Sequence, residues 1–265
     1  MMRLCFWKMH GAGNDFILVD DRCLTFPATD AAYIAQLCHR RLGIGSDGLL
    51  LLQSVEQADF RMRFFNPDGR AAALCGNAAR CAARLAYDLG MAPAAMRMAT
   101  DAGVVSAVLL EDMQIRLHMP PPREWRMDQT VEWQGTLHTV HFVISGVPHA
   151  VVVLPDLANV DVAAFGSFLR HHRLFAPDGT NADFIHVLDE HTLGIRTFER
   201  GVEGETPACG TGITAAALIA EKRGLVASPV RLKTAGGDVL EVTTSPLTLT
   251  GPAEYVFCGS VDYRA

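Results

Sequence analysis

Apolar and polar residues fall into two rhythms along this chain, and the rhythms come round twice. Segments 60–65 and 192–198 are rich in β-formers and predict strands. Each leads through a polar loop containing Gly and Pro to a cysteine, Cys75 or Cys209. After each cysteine comes an alanine-rich stretch of about four helical turns. Each stretch ends at a glycine, Gly90 or Gly224, suited to a left-handed C-terminal cap. Alternating segments 104–110 and 239–244 follow and predict further strands. Residues 31–41 carry a helix-like pattern, and the apolar run 49–52 reads as a strand.

The recurrence extends to the residues themselves. Aligning Cys75 with Cys209 without a gap matches Cys75-Gly76 with Cys209-Gly210, two consecutive alanines, a later alanine, and Gly90 with Gly224. The same offset sets Arg97-Met98-Ala99-Thr100 against Arg231-Leu232-Lys233-Thr234, and Gly103 against Gly237. Upstream, Phe65-Asn66 faces Phe198-Glu199, and Asn14-Asp15-Phe16-Ile17 resembles Asn181-Ala182-Asp183-Phe184-Ile185. The expected fold class is α+β: two pseudo-symmetric domains from an internal duplication, each a curved sheet wrapped around one central helix, with the active site in the cleft between them. The expected boundaries are 1–118, joined by the closing segment 252–265, and 119–251. The linker is placed at Met119-Pro120-Pro121-Pro122-Arg123, because three prolines stop regular structure.

Bulk properties narrow the function. A chain of 265 residues with 49% hydrophobic and 20% charged residues is that of a globular protein with a substantial core. The net charge of −6 provides no basic footprint for nucleic acid. No apolar run approaches the roughly 20 residues that span a bilayer, and the start lacks a signal peptide's apolar stretch and cleavage site. A cytoplasmic protein with neither nucleic-acid nor membrane partners is expected. Seven cysteines with no Cys-x-x-Cys pair suggest neither a disulfide framework nor a structural zinc site. His138, His141, His171 and His172 read as surface histidines, so no metal is expected.

The paired cysteines carry the chemistry. A helix N-terminus bears partial positive charge and unpaired N–H groups, which lower a thiol's pKa. The glycine after each cysteine lets a ligand approach the backbone. Two such ends facing one another cradle an anion such as an α-carboxylate, with the α-carbon between two sulfurs. Inverting that carbon without redox chemistry needs a base on one face and an acid on the other, and Cys75 and Cys209 supply one of each. Cys81, Cys38 and the remaining cysteines read as packing residues.

Together these residues resemble the diaminopimelate epimerase family over nearly the whole chain. The resemblance rests on Met9-His10-Gly11-Ala12-Gly13-Asn14-Asp15-Phe16, Gly45-Ser46-Asp47-Gly48, Phe65-Asn66-Pro67-Asp68-Gly69 and Cys75-Gly76-Asn77-Ala78-Ala79-Arg80-Cys81. In the second half it rests on Pro148-His149, Thr180-Asn181, Glu199-Arg200-Gly201 and Ala208-Cys209-Gly210-Thr211-Gly212. It implies an isomerase that interconverts LL- and meso-diaminopimelate without pyridoxal phosphate or any other cofactor, for lysine and peptidoglycan synthesis. Carried across, Cys75 and Cys209 are the acid–base pair, and His149 and Glu199 tune them. Gly76, Asn77, Gly210 and Thr211 bind the reacting carboxylate. Asn14, Asn66, Asn181, Glu199 and Arg200 hold the far end of the substrate. A homodimer is the family's usual assembly. Two positions depart from the pattern: Val147 stands where many members have Asn, and Ala78 where Gly is common.

Val147 leaves open a racemase or epimerase of another amino acid, such as histidine, proline or hydroxyproline. Gly43-Ile44-Gly45-Ser46-Asp47-Gly48 formally matches a dinucleotide fingerprint, but it follows a helix-like stretch and precedes a strand-like one, the reverse of the required order. A cysteine hydrolase using Cys209 and His149 leaves Cys75 and the duplication unexplained.

Overall fold

In the computed structural model, which describes residues 2–263, the two halves of the chain build the same order of elements. The first half runs β1 (Met2–Gly11), β2 (Asn14–Asp20), α1 (Ala31–Cys38), β3 (Leu49–Gln53), β4 (Phe60–Phe65), β5 (Ala71–Ala72) and α2 (Gly76–Asp88). It continues with β6 (Ala95–Thr100), β7 (Gly103–Leu109) and β8 (Ile115–His118). After β9 (Arg123–Trp133) come β10 (Thr136–Ser145), β11 (Val147–Val153), α3 (Val162–Arg170), β12 (Asn181–Asp189), β13 (Thr192–Glu199), β14 (Gly204–Thr206) and α4 (Gly210–Lys222). Then follow β15 (Val230–Lys233), β16 (Val239–Thr244), β17 (Leu247–Gly251) and β18 (Glu254–Tyr263). The chain divides into two units, Met1–Leu117 with Gly251–Ala265, and His118–Thr250. Pro120, Pro121 and Pro122 lie between β8 and β9, close to the division.

Strand pairing repeats with the elements. In the first unit β1 lies antiparallel between β18 and β2, β2 runs parallel to β3, and β3 is antiparallel to β4. β4 is parallel to β6, carries the short β5 antiparallel, and β6, β7 and β8 meander. In the second unit β10 lies antiparallel between β9 and β11, β11 runs parallel to β12, and β12 is antiparallel to β13. β13 is parallel to β15, carries β14 antiparallel, and β15, β16 and β17 meander. Each parallel pairing needs a crossover, and α1, α2, α3 and α4 supply them.

Each sheet wraps its second helix. α2 touches β1, β2, β3, β4 and β7, and α4 touches β10, β11, β12, β13, β15 and β16. A helix enclosed on most sides must be thin, which accounts for the alanines. Ala78, Ala79, Ala82, Ala83 and Ala86 are buried in α2, and Ala215, Ala216, Ala217 and Ala220 in α4. Both helices stop where the sequence predicts, at Gly90 (φ 66°) and Gly224 (φ 68°) in the left-handed region. Strand residues of opposite parity face α1 or α3. Ile17, Val19, Leu49, Leu51 and Phe65 pack on Ile34, Leu37 and Cys38 in the first unit. Phe142, Ala150, Val152 and Phe184 pack on Phe165 and Leu169 in the second. Strands covered on both faces read as unbroken apolar runs, and Leu49 to Leu52 are all fully buried.

α1 ends earlier than the pattern over 31–41 implies. His39 is extended (φ −67°, ψ 120°), and its Nδ1 accepts the Arg41 and Leu42 amides at 3.1 and 3.0 Å, closing a turn instead of another helical step. Gly43 to Gly48 therefore form a loop from a helix into a strand. No helix among the described residues is long and apolar enough to cross a membrane.

Candidate active site

The first unit places Cys75 at the N-cap of α2, extended at φ −134° and ψ 127°, with its carbonyl taking the first helical bond from Ala79. The hairpin joining β1 to β2 brings Asn14 to it. Gly11 pairs with Asn14 across a two-residue loop, Ala12 (φ 56°) and Gly13 (φ 79°), both left-handed as a tight primed turn requires. The Asn14 Oδ1 accepts from Asn77 Nδ2 at 3.2 Å and lies 3.8 Å from Cys75 Sγ. Its Nδ2 donates to Asp47 Oδ2 at 2.7 Å, so both ends of the carboxamide have assigned partners. Asp47 thus gives the Gly45-Ser46-Asp47-Gly48 motif a task.

Behind Asn14 lies a cluster of charges that the sequence reading missed. Asp15 meets Lys8 at 2.5 Å and Arg40 at 2.7 Å, and Arg40 also holds Asp47 at 2.6 Å. Lys8 is buried and also donates to the Gly45 carbonyl. Burial pushes the Asp15 carboxyl up, but hydrogen bonds from Arg40 and Lys8 and the Lys8 charge outweigh it and bring it from 3.8 to about 2. A carboxyl depressed in the fold stabilises it above its unfolded pKa, and that contribution is lost as pH falls from about 4 towards 2. The urea midpoint of the wild type should therefore drop across that window more than that of Asp15→Asn. The variant should be the less stable of the two at neutral pH, since it leaves a buried lysine without its carboxylate. Parallel curves would refute this role.

The second unit puts Cys209 at the N-cap of α4 (φ −118°, ψ 110°), buried where Cys75 is half-buried. Cys209 Sγ lies 3.4 Å from Thr211 Oγ1, and that hydroxyl lies 2.9 Å from His149 Nε2. His149 Nδ1 is 2.7 Å from Asp183 Oδ2, and Asp183 Oδ1 accepts from Thr197 Oγ1 at 2.8 Å. The parallel pairing of β11 and β12 sets His149 opposite Asn181, which puts Asp183 two residues on along the same face. Gly212 keeps α4 close: a Cβ there would stand 2.3 Å from Asp183 Oδ1. Asp183 and Thr197 are functional candidates that the sequence reading passed over. The available signal was an aspartate inside the apolar run Ala182-Asp183-Phe184-Ile185.

The thiol expected to be acidified at its helix start is not so at Cys209. Burial, then the Glu199 and Asp183 carboxylates, push its pKa well above the ordinary value, against the Thr211 hydroxyl and the Gly212 amide. The surroundings of Cys209 therefore favour the neutral thiol. Burial likewise pushes Cys81 up to about 12, and Cys81 and Cys38 are packing residues as expected. Cys5, Cys23 and Cys258 are exposed, which corrects their reading as packing residues. Cys5 and Cys258 stand on adjacent strands β1 and β18, where hydropathy alone does not tell an outward from an inward position.

The remaining predicted residues divide. Gly76, Gly210 and Thr211 lie in the first turns of α2 and α4. Glu199 ends β13 and accepts from Thr206 Oγ1. The Arg200 amide donates to Asn181 Oδ1 at 2.8 Å, while Asn181 Nδ2 donates to the Pro148 carbonyl at 3.1 Å, so the Asn181 carboxamide is tied into its own unit. Arg200 Nη1 reaches the Asp178 carbonyl at 3.1 Å. Asn66 is exposed at the start of a turn closed by the Gly69 amide. Val147 opens β11, half-buried, and Ala78 is fully buried in α2.

A sheet-and-helix unit repeated in one chain is a fold that solved structures share. The chain superposes on a phenazine biosynthesis protein of the PhzF family from Bacillus anthracis with a TM-score of 0.74, at 17% identity over 99% of this chain and 100% of that one. It superposes on a probable proline racemase from Agrobacterium radiobacter with a TM-score of 0.70, at 18% identity over 98% and 93%. The profile of the diaminopimelate epimerase family matches residues 6–125 and 141–256, and the chain belongs to that family of isomerases. Diaminopimelate epimerase of Chlorobaculum tepidum is 41% identical over 96% of this chain and 99% of the relative. That of Aquifex aeolicus is 38% identical over 96% of each.

Proposed function

We propose that this protein interconverts LL- and meso-diaminopimelate, with Cys75 and Cys209 exchanging the α-proton. The observation that carries this reading is the equivalence of the two cysteines: each is the N-cap of the 13-residue helix enclosed by its unit's sheet. In one direction the Cys75 thiolate takes the α-proton, the electron pair passes into the α-carboxylate, and the Cys209 thiol gives its proton to the opposite face. The reverse reaction exchanges the roles. Amides at the starts of α2 and α4, with Asn77 and Thr211, stabilise the developing charge. His149 and Glu199 adjust the thiols, and Asn14, Asn66, Asn181, Glu199 and Arg200 recognise the distal ammonium and carboxylate. The chemistry asks for no cofactor or metal, and the enzyme is assigned to the cytoplasm.

The test is reduced protein with LL-diaminopimelate in D2O, followed by NMR. Loss of the α-proton signal with appearance of the meso isomer supports the reading, and a persistent signal from folded protein ends it. The same assay with histidine, proline and hydroxyproline tests the alternative that Val147 opens. The protein is further assigned as a homodimer through β18, whose Tyr255, Val256 and Phe257 are 40%, 53% and 48% exposed in a row along a strand that pairs with β1. Sedimentation equilibrium should give twice the chain mass, and a monomer mass at micromolar concentration refutes that assembly.

A further inference from the structure

We propose that Asp183 is a positioning residue that fixes the tautomer of His149 and so makes the Thr211 hydroxyl a proton relay between Cys209 and His149. The inference rests on the proton-transfer role proposed above for Cys209. Its geometry lies wholly within the second unit. Asp183 and His149 are fully buried. Asp183 Oδ1 is occupied by the Thr197 hydroxyl and Oδ2 faces His149 Nδ1 at 2.7 Å. A carboxylate only accepts, so Nδ1 carries a proton, and in the neutral imidazole Nε2 keeps its lone pair, towards which the Asn181 amide nitrogen also lies at 3.4 Å. Nε2 then accepts from Thr211 Oγ1 at 2.9 Å, which turns the lone pairs of that oxygen towards Cys209 Sγ at 3.4 Å. One residue thereby sets the direction of every hydrogen bond in the chain.

The relay supplies what Cys209 lacks. A buried neutral thiol can donate to a carbanion but must shed a proton before it serves as base. The S–H bond breaks and Thr211 Oγ1 takes that proton while the Thr211 O–H proton passes to His149 Nε2. The products are a thiolate, an unchanged threonine hydroxyl and an imidazolium paired with the Asp183 carboxylate, so atoms and charge balance with no further reactant. Restoring the thiol runs the same steps backwards. Glycine at 212 belongs to the arrangement, since a Cβ there would meet both Asp183 Oδ1 at 2.3 Å and His149 Cε1 at 3.3 Å.

The test reads tautomer and rate separately. In 15N-histidine-labelled protein, the His149 signal, assigned by its loss in His149→Asn, should show the proton on Nδ1. In Asp183→Asn it should move to Nε2, and kcat should fall about 10–100-fold with little change in KM, as when an orienting partner of a functional histidine is lost. Thr211→Val should lower kcat similarly, and the double variant should be no slower than the worse single one, since both interrupt one path. An Nε2–H signal in the wild type overturns the proposal, even if Asp183→Asn does not fold. So does folded Asp183→Asn with wild-type kcat, or losses that multiply in the double variant. A wild type that shows the Nδ1–H signal but turns over no amino acid defeats the proposed function and leaves the Asp183–His149 arrangement standing.

Discussion

On the proposed two-thiol mechanism, Cys75→Ala and Cys209→Ala should each lose epimerisation in both directions by about 10²–10⁴-fold, the contribution of a positioned acid or base, since a stereoinversion uses both in every turnover. The loss should be symmetric with respect to substrate isomer even though the cysteines are not alike in environment. Cys209 is buried and held as a thiol by Glu199 and Asp183, whereas Cys75 is half-buried beside Asn14. Starting from LL-diaminopimelate in D2O, neither variant should accumulate the meso isomer, and starting from the meso isomer neither should accumulate LL. Both variants should melt near the wild type, since a cysteine at an N-cap contributes little as a cap. A folded single variant within tenfold of wild-type rate would remove the two-thiol mechanism, whatever the family.

Phe184→Ala should be the most damaging simple truncation in the second unit, at about 3–5 kcal/mol, the usual cost of a large-to-small change in a packed core. Phe184 is fully buried on β12, at the centre of the layer between the sheet and α3, with its ring 5.2 Å from that of Phe165. It also neighbours Asp183, so loosening the strand disturbs the register that sets His149 against Asn181. The urea midpoint should fall with an unchanged slope, as expected for lost stability without a change in exposed surface. A loss below about 1 kcal/mol would show that the site repacks, which the aromatic cluster around Phe165 argues against.

Local pattern carried much of this fold. The alanine-rich helices, their cysteine starts and glycine ends, and the strands beside them repeat closely enough for the duplication to be read from the chain alone. The repeat was legible because it is built from features that act over a few residues: helix propensity, capping and strand alternation. The family and the two cysteines follow from motifs of the same local kind. Other features depend on partners distant in sequence. No spacing rule links His149 to Asp183, 34 residues apart; the parallel pairing of β11 and β12 joins them. Lys8, Asp15, Arg40 and Asp47 likewise meet only when β1, β2 and the loop after α1 come together.

The sequence by itself determined that there are two equivalent helix starts, each with a sulfur. Only the tertiary structure decided what that sulfur is at Cys209. A helix start lowers a thiol's pKa through its own first turn, which the sequence displays. Desolvation and the Glu199 and Asp183 carboxylates raise it through the whole enclosing sheet, and at Cys209 they win because water is excluded there and the carboxylates are drawn in by strands far along the chain.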